Sequence, residues 1–214
     1  MSRAPLHIAD LDAVLLDLGN VMVQLHVGRF VQRLRALAGG EGVAQTRLLF
    51  AEDAYHRFAR GEIDPRAFHA AVQERLGLAW PFDSFVEAWC DVFEQNEQSV
   101  EALRRVREQR PVFLLSNTDT LHWEWIRGRW SWCELFHGLH LSFEVGIEKP
   151  DPRFFRTFLD GHPFRPERCL YVDDLAENVA AASSVGLVAV QHTEPDVLGR
   201  TVAALFDDAD EKAG

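Results

Sequence analysis

Cysteine is scarce in this chain. Cys90, Cys133 and Cys169 stand far apart, with no Cys-x-x-Cys pair among them. That argues against a disulfide framework or a thiolate zinc site and fits a reducing compartment. Long hydrophobic runs are missing as well. No apolar stretch approaches the roughly 20 residues that span a bilayer, and the first residues lack the basic-then-apolar pattern of a signal peptide. Positive charge is in deficit, with 22 Lys and Arg against 33 Asp and Glu and a formal net charge of -11. Nucleic acid and anionic membrane surfaces are therefore poor partners. Repeats and low-complexity tracts do not occur. The expectation is a soluble, cytoplasmic protein acting on a small molecule, as a monomer or a weak homodimer. If that molecule is anionic, a metal ion or a placed lysine has to supply local positive charge.

The material for a core is present: 214 residues, 47% of them hydrophobic, with 15 Phe. This is the size of one domain, or of one core with a modest insertion. Only the polar tail from Asp207 to Gly214 reads as disordered. Five short apolar runs read as strands: Ala13–Leu18, Val112–Ser116, Leu139–Ser142, Cys169–Asp173 and Leu187–Val190. Helices fall between the later ones. Asp151-Pro152 reads as an N-cap with Pro at the first helical position, ahead of Phe154, Phe155, Phe158 and Leu159 on one face. Another helix runs from about Ala176 to Val185, with Gly186 as its C′ residue. Alternation of this kind implies a parallel sheet with helices on both faces.

The interval from Val23 to Val112 breaks the rhythm, being far longer than the roughly 30 residues of a βαβ unit. It reads as helix after helix. Phe30, Val31, Leu34 and Leu37 make one face, closed by Gly39-Gly40, and Leu48, Leu49, Tyr55 and Phe58 suggest a second. Asp64-Pro65 opens a third, with Phe68, Val72 and Leu76 inward and Gly77 at its end. Asp83 opens a fourth, with Phe85, Val86, Trp89 and Phe93. The expected fold is α/β: a Rossmann-like parallel-sheet core over residues 1–24 and 98–214, and an inserted four-helix cap over residues 25–97. The segment from Trp123 to Trp132 holds four of the six Trp. It reads as a helix end and turn packing on the sheet edge, with a partner surface as the sharper alternative.

Four strand ends carry polar residues. Ala13-Val14-Leu15-Leu16 runs into Asp17, and Gly19-Asn20 supplies the loop punctuation. Ligands of open α/β sheets bind beyond the carboxyl ends of the strands, so Asp17 faces the site, although a strand-end Asp is also an ordinary cap. Val112-Phe113-Leu114-Leu115 ends in Ser116-Asn117-Thr118, whose hydroxyl and helix-start N–H groups suit phosphate but also suit plain helix capping. Lys149, ahead of Pro150, can neutralise a phosphoryl oxygen or hold a carboxylate. Leu170-Tyr171-Val172 ends in Asp173-Asp174, and adjacent carboxylates repel unless a cation is near, which suits Mg²⁺. Each signal alone is weak; the four in this order are strong.

On these four motifs the sequence resembles the haloacid dehalogenase superfamily, over about Ala13 to Val190, with the insertion placed like that family's C1 helical cap. Asp17-Leu18-Gly19-Asn20-Val21, Arg60-Gly61-Glu62-Ile63 and Leu115-Ser116-Asn117-Thr118 further resemble bacterial phosphatases acting on α-D-glucose 1-phosphate. The resemblance implies a hydrolase of phosphate monoesters that uses Mg²⁺ and acts on a small phosphorylated metabolite. Asp17 would be the nucleophile forming an aspartyl-phosphate, and Lys149 would hold the charge cluster. Ser116 and Asn117 would bind phosphoryl oxygens. Asp17, the Gly19 carbonyl, Asp173 and Asp174 would bind the metal, Asp173 directly or through water.

One departure matters. The family's phosphatases carry a second Asp, which protonates the leaving group, where this chain has Gly19. Shifting the frame to Asp10-Leu11-Asp12 restores Asp-x-Asp but leaves a poor strand before the motif and an apolar run where a loop is required, so that frame is rejected. His26 is a candidate donor from the hinge, though an ordinary hinge residue reads better. Glu52, Tyr55, His56 and Arg57 are candidates for contact with the leaving group. Two rivals stay open: a metal-independent 2-haloacid dehalogenase, which also lacks the second acid, and a non-catalytic relative that binds a phosphorylated ligand. The acidic pair favours phosphoryl transfer.

Overall fold

The structure, a computed structural model, describes residues 7–38 and 52–207. Gly39-Gly40, Leu48, Leu49 and the tail beyond Asp207 lie outside them, as does the side chain of Leu37. In chain order the strands are β1 (Ala13–Leu16), β2 (Val23–Leu25), β3 (Phe93–Gln95), β4 (Val112–Ser116), β5 (Gly138–Leu141), β6 (Cys169–Asp173) and β7 (Val188–Gln191). The helices are α1 (Val27–Ala38), α2 (Asp53–Ala59), α3 (Pro65–Leu76), α4 (Phe82–Cys90), α5 (Glu97–Arg107), α6 (Thr120–Arg129), α7 (Ser142–Val145), α8 (Pro152–Asp160), α9 (Ala176–Ser184) and α10 (Val197–Asp207).

Five strands form one parallel sheet in the order β5-β4-β1-β6-β7. Every residue of β1 is buried, as an unbroken apolar run in a sheet covered on both sides requires. The two-residue period divides its side chains between two cores. Val14 and Leu16 pack with Val100 and Leu103 of α5, Ile126 of α6 and Val202 of α10. Ala13 and Leu15 pack with Phe154, Phe155 and Phe158 of α8 and Ala182 of α9. Leu16 lies opposite Leu114 on one side and Val172 on the other. That register ends the three central strands level, so Asp17, Ser116 and Asp173 emerge at one edge.

The helices α1 to α4 bury a third cluster, including Phe30, Leu34, Phe58, Phe68, Phe85 and Trp89. Phe58 and Phe68 stack with centroids 4.5 Å apart. Asp64 caps α3 by accepting from the Ala67 N–H, and Gly77 ends it at φ 64°, where a β-carbon is strained. The fourth helix departs from the sequence reading. It opens at Phe82 with Pro81 as N-cap, and Asp83 falls inside the first turn. Nor does Phe93 belong to it: the chain leaves the helix after Cys90, and Phe93 opens β3, which pairs antiparallel with β2. A single apolar residue four places past Trp89 fits a helix and a short strand equally well; only pairing with Leu25 decides. This two-strand ribbon carries the chain out to the cap helices and back.

The Trp-rich segment packs inward. Trp123 and Trp132 are buried in the sheet core, and the Trp132 Nε1–H donates to Gln95 Oε1 at 2.7 Å. Trp125 touches both the sheet core and the cap cluster. Among the described residues, no helix is long and apolar enough to cross a membrane.

Candidate active site

Lys149 lies at the centre of the edge where the strands end. Its ammonium is buried and donates to Asp17 Oδ1 and Asp173 Oδ2, each at 2.7 Å, and to the Leu115 carbonyl at 3.0 Å. The Tyr171 hydroxyl stands 3.1 Å away and donates to Asp173 Oδ2. Asp173 is held from further directions: its Oδ1 accepts from the Leu175 N–H and from Asn178 Nδ2, both at 2.9 Å. Asp174 Oδ2 accepts from Asn20 Nδ2 at 2.8 Å. Asn20 takes φ 51°, a left-handed conformation Asn tolerates better than most residues. That bend turns its side chain from the loop after Asp17 across to Asp174.

Oxygens of Asp17, Asp173 and Asp174 lie within 4.8 Å of one another. Burial pushes the Asp17 carboxyl up to about 7, a rise that Lys149 opposes and the Asp173 charge reinforces. Burial would raise Asp173 as well, yet Lys149, the Tyr171 hydroxyl and the Leu175 N–H together hold it below the ordinary carboxylate range. Burial raises Asp174, and the neighbouring Asp173 adds to the rise. Lys149 would be lowered by burial, but Asp17 and Asp173 hold it above its ordinary value. With all three carboxyl groups ionised, one ammonium would leave a double negative charge in a largely buried space, the charge a divalent cation would offset. The donor set is all oxygen, which suits Mg²⁺.

The sequence-predicted residues meet, with some differences in what they do. Ser116 ends β4 and is buried. The side chain of Asn117 is spent on the main chain of Lys149, donating to its carbonyl and accepting from its N–H, both at 2.8 Å. It zips together the loops after β4 and before α8. Gly19 follows Asp17 in the loop, and Leu25 fills the space beside it: an added β-carbon would meet Leu25 Cδ1 at 2.9 Å. The rejected frame lies at the far end of β1. Asp12 accepts there from the Arg165 N–H at 3.0 Å and pairs with Arg168 Nε at 3.0 Å. His26 Nε2 lies 3.2 Å from Glu94 Oε2 on the ribbon, beside a cavity of about 570 Å³ whose wall also includes Asn20, Asp174 and His192.

The cap meets this edge through α2. Ser142 Oγ accepts from the Thr118 N–H at 3.0 Å and donates to the Ala59 carbonyl at 2.6 Å. Gly61, at φ 69°, backs directly onto the main chain of Phe143, leaving no room for a side chain. His56 Nδ1 lies 3.2 Å from both carboxylate oxygens of Glu148, and Arg60 Nη1 donates to the same carboxylate at 3.0 Å. Asp119 accepts from Trp89 Nε1 of the cap at 3.2 Å and lies 2.9 Å from His122 Nδ1.

A family profile for haloacid dehalogenase-like hydrolases matches residues 11–186. The chain belongs to that family. This haloacid dehalogenase-like hydrolase is 24% identical over 194 residues to the D-ribitol-5-phosphate phosphatase of Bacteroides thetaiotaomicron, covering 83% of this chain and 90% of the relative. It is 25% identical over 154 residues to a sesquiterpene phosphatase of Aspergillus oryzae, covering 66% and 74%. Among solved structures, a HAD family enzyme of Bacteroides thetaiotaomicron in complex with magnesium and inorganic phosphate superposes with a TM-score of 0.77 at 23% identity, over 85% of this chain and 93% of the other. The L-2-haloacid dehalogenase of Xanthobacter autotrophicus shares the fold at a TM-score of 0.64 and 14% identity, over 85% and 77%.

Sequence reasoning passed over Tyr171, Asn178, Ser142 and Glu148. Tyr171 was within reach, because a strand's period of two places it on the face of Asp173. The other three matter through partners distant in sequence, which no local pattern signals.

Proposed function

We propose that this hydrolase is a Mg²⁺-dependent phosphatase that cleaves the monoester of a small phosphorylated metabolite, such as a sugar or polyol phosphate, through an aspartyl-phosphate. The observation that carries the reading is the meeting of three carboxyl groups, Asp17, Asp173 and Asp174, where the Lys149 ammonium pairs with the first two. The phosphatases among its relatives support it.

Asp17 is the nucleophile: it attacks phosphorus in line, and water then cleaves the acyl phosphate and restores the carboxylate. Lys149 fixes the attacking carboxylate and shields it from Asp173. The Ser116 hydroxyl and the loop of Asn117 receive the phosphoryl oxygens. Asp17, the Gly19 carbonyl and Asp174 would hold Mg²⁺, with Asp173, its oxygens already engaged, acting at one remove; bound there, the ion lets two anions approach and stabilises the charge developing on the phosphoryl group. The cap excludes water from the cleft during transfer.

A carbon–halogen displacement needs no cation, and the acidic pair would then stand as uncompensated repulsion. The experiment is turnover of p-nitrophenyl phosphate with and without Mg²⁺, beside halide release from a 2-haloacid in the presence of chelator. Phosphate release that requires Mg²⁺ and disappears in Asp17→Asn is the expected result. Halide release under chelator, or an Asp17→Asn variant as active as the parent, would overturn the reading.

A further inference from the structure

An alkyl phosphate leaves as an alkoxide, which is too basic to depart without a proton. Three positions on the floor of the site are unable to give one. Gly19 has no side chain, and Leu25 occupies the space beside it. Asp173 has its oxygens engaged by Lys149, Tyr171, Leu175 and Asn178. Lys149 is committed to two carboxylates and a carbonyl.

The cap does offer such a group. We propose that His56, oriented by Glu148, is the acid that protonates the leaving group and the base that then activates water. The proposal rests on the phosphatase reading above. Three observations support it. The last turn of α2 is fixed where the two active loops meet: Ser142 ties the Ala59 carbonyl to the loop of Thr118, and Asn117 ties that loop to Lys149. Glu148, immediately before Lys149, reaches back to His56. And 44% of the His56 side chain is exposed, so the ring does not serve as core packing.

The chemistry of the pair sets the roles of the two nitrogens. A carboxylate only accepts, so Nδ1 carries a hydrogen toward the two Glu148 oxygens. This leaves Nε2 as the working atom, in the manner of a histidine steered by a carboxylate. In the first step an oxygen of Asp17 bonds to phosphorus, the phosphorus–alkoxide bond breaks, and the alkoxide takes the proton from Nε2. In the second, water bonds to phosphorus while Nε2 takes its proton, and the bond from phosphorus to Asp17 breaks. The sum is ester plus water giving alcohol plus phosphate, and histidine and aspartate end as they began.

The test is a leaving-group series of 2,4-dinitrophenyl, p-nitrophenyl and phenyl phosphate, run with Mg²⁺ on the full chain and on His56→Gln, Glu148→Gln and Arg60→Gln. Removing a proton donor costs about 10²–10⁴-fold where the leaving group needs it. His56→Gln is therefore expected to lose about 100-fold or more on phenyl phosphate and far less on the first turnover of the dinitrophenyl ester, which departs unprotonated. Glu148→Gln should steepen the series in the same direction by less. Arg60→Gln, which loosens the same cap contact without touching the proton, should lower all three substrates alike. Equal losses across the series for His56→Gln, or a series steepened as much by Arg60→Gln, would reduce His56 to a cap-docking residue and overturn the proposal. A parent chain inactive on all three esters would instead overturn the phosphatase reading, and this one with it.

Discussion

Lys149 belongs to the sheet edge and His56 to the cap, and their surroundings differ in kind. Lys149 is buried among oxygens of Asp17, just past β1, and of Leu115, Tyr171 and Asp173 in β4 and β6. Its position follows from sheet register, and no single neighbour can move without stranding a charge. His56 pairs with the Glu148 carboxylate, and 44% of its side chain is exposed. Its position follows from how α2 docks, through one serine hydroxyl, one glycine backbone and one ion cluster. The floor is thus over-determined and suited to the step common to all phosphate esters. The cap rests on a few contacts and suits the part of the substrate that varies.

The most direct way to break this comparison is Asp17→Asn. It should lower kcat by at least about 10⁴-fold without unfolding the protein. Its stability carries a sign that checks the floor's electrostatics. Because burial raises Asp17 to about 7 in the metal-free protein, the protonated carboxyl favours the folded state, and that favour is lost as pH rises through 7. In chelator, the variant should therefore melt above the parent at pH 8, and the difference should close below about pH 4, where the ordinary carboxylate is also protonated. A variant that melts lower at pH 8 would show that Lys149 outweighs burial.

Next in size is Lys149→Met, which leaves Asp17 and Asp173 facing each other without a cation. Breaking a buried pair in this way costs about 3–5 kcal/mol, to be read from urea unfolding in chelator, and activity should vanish. If Mg²⁺ answers the charge of the floor, adding it at about 100 times its dissociation constant should stabilise the parent by about 2.7 kcal/mol. Absence of any shift in melting on titration would refute a cation site there. Ser142→Ala sharpens the other side of the comparison. Losing the hydroxyl that joins the Thr118 loop to α2 should cost about 1–3 kcal/mol and raise KM more than it lowers kcat. The smallest effect belongs to Asp12→Asn, at the far end of β1. The arginines hold Asp12 below the ordinary carboxylate range, so its contribution is present at neutral pH and fades as pH falls. The variant should melt about 2–4 °C lower at pH 7, no lower than the parent near pH 3, and turn over normally.

The sequence by itself determined the sheet and the identity of the charged groups at its edge. Unbroken apolar runs ending in Asp17, Ser116 and Asp173 can be satisfied only as buried parallel strands, and burial on both faces forces the polar residues to the tips. The helix starts at Asp64-Pro65 and Asp151-Pro152 were equally legible, because capping is decided within four residues. Tertiary structure alone decided the rest. Phe93 joined a ribbon because Leu25 lay opposite, and Asn117 turned to Lys149 because two loops ended level. Glu148 met His56 across 92 positions of sequence. Such choices depend on which distant backbone arrives at the same place, and a local pattern of apolar and polar residues carries no record of that.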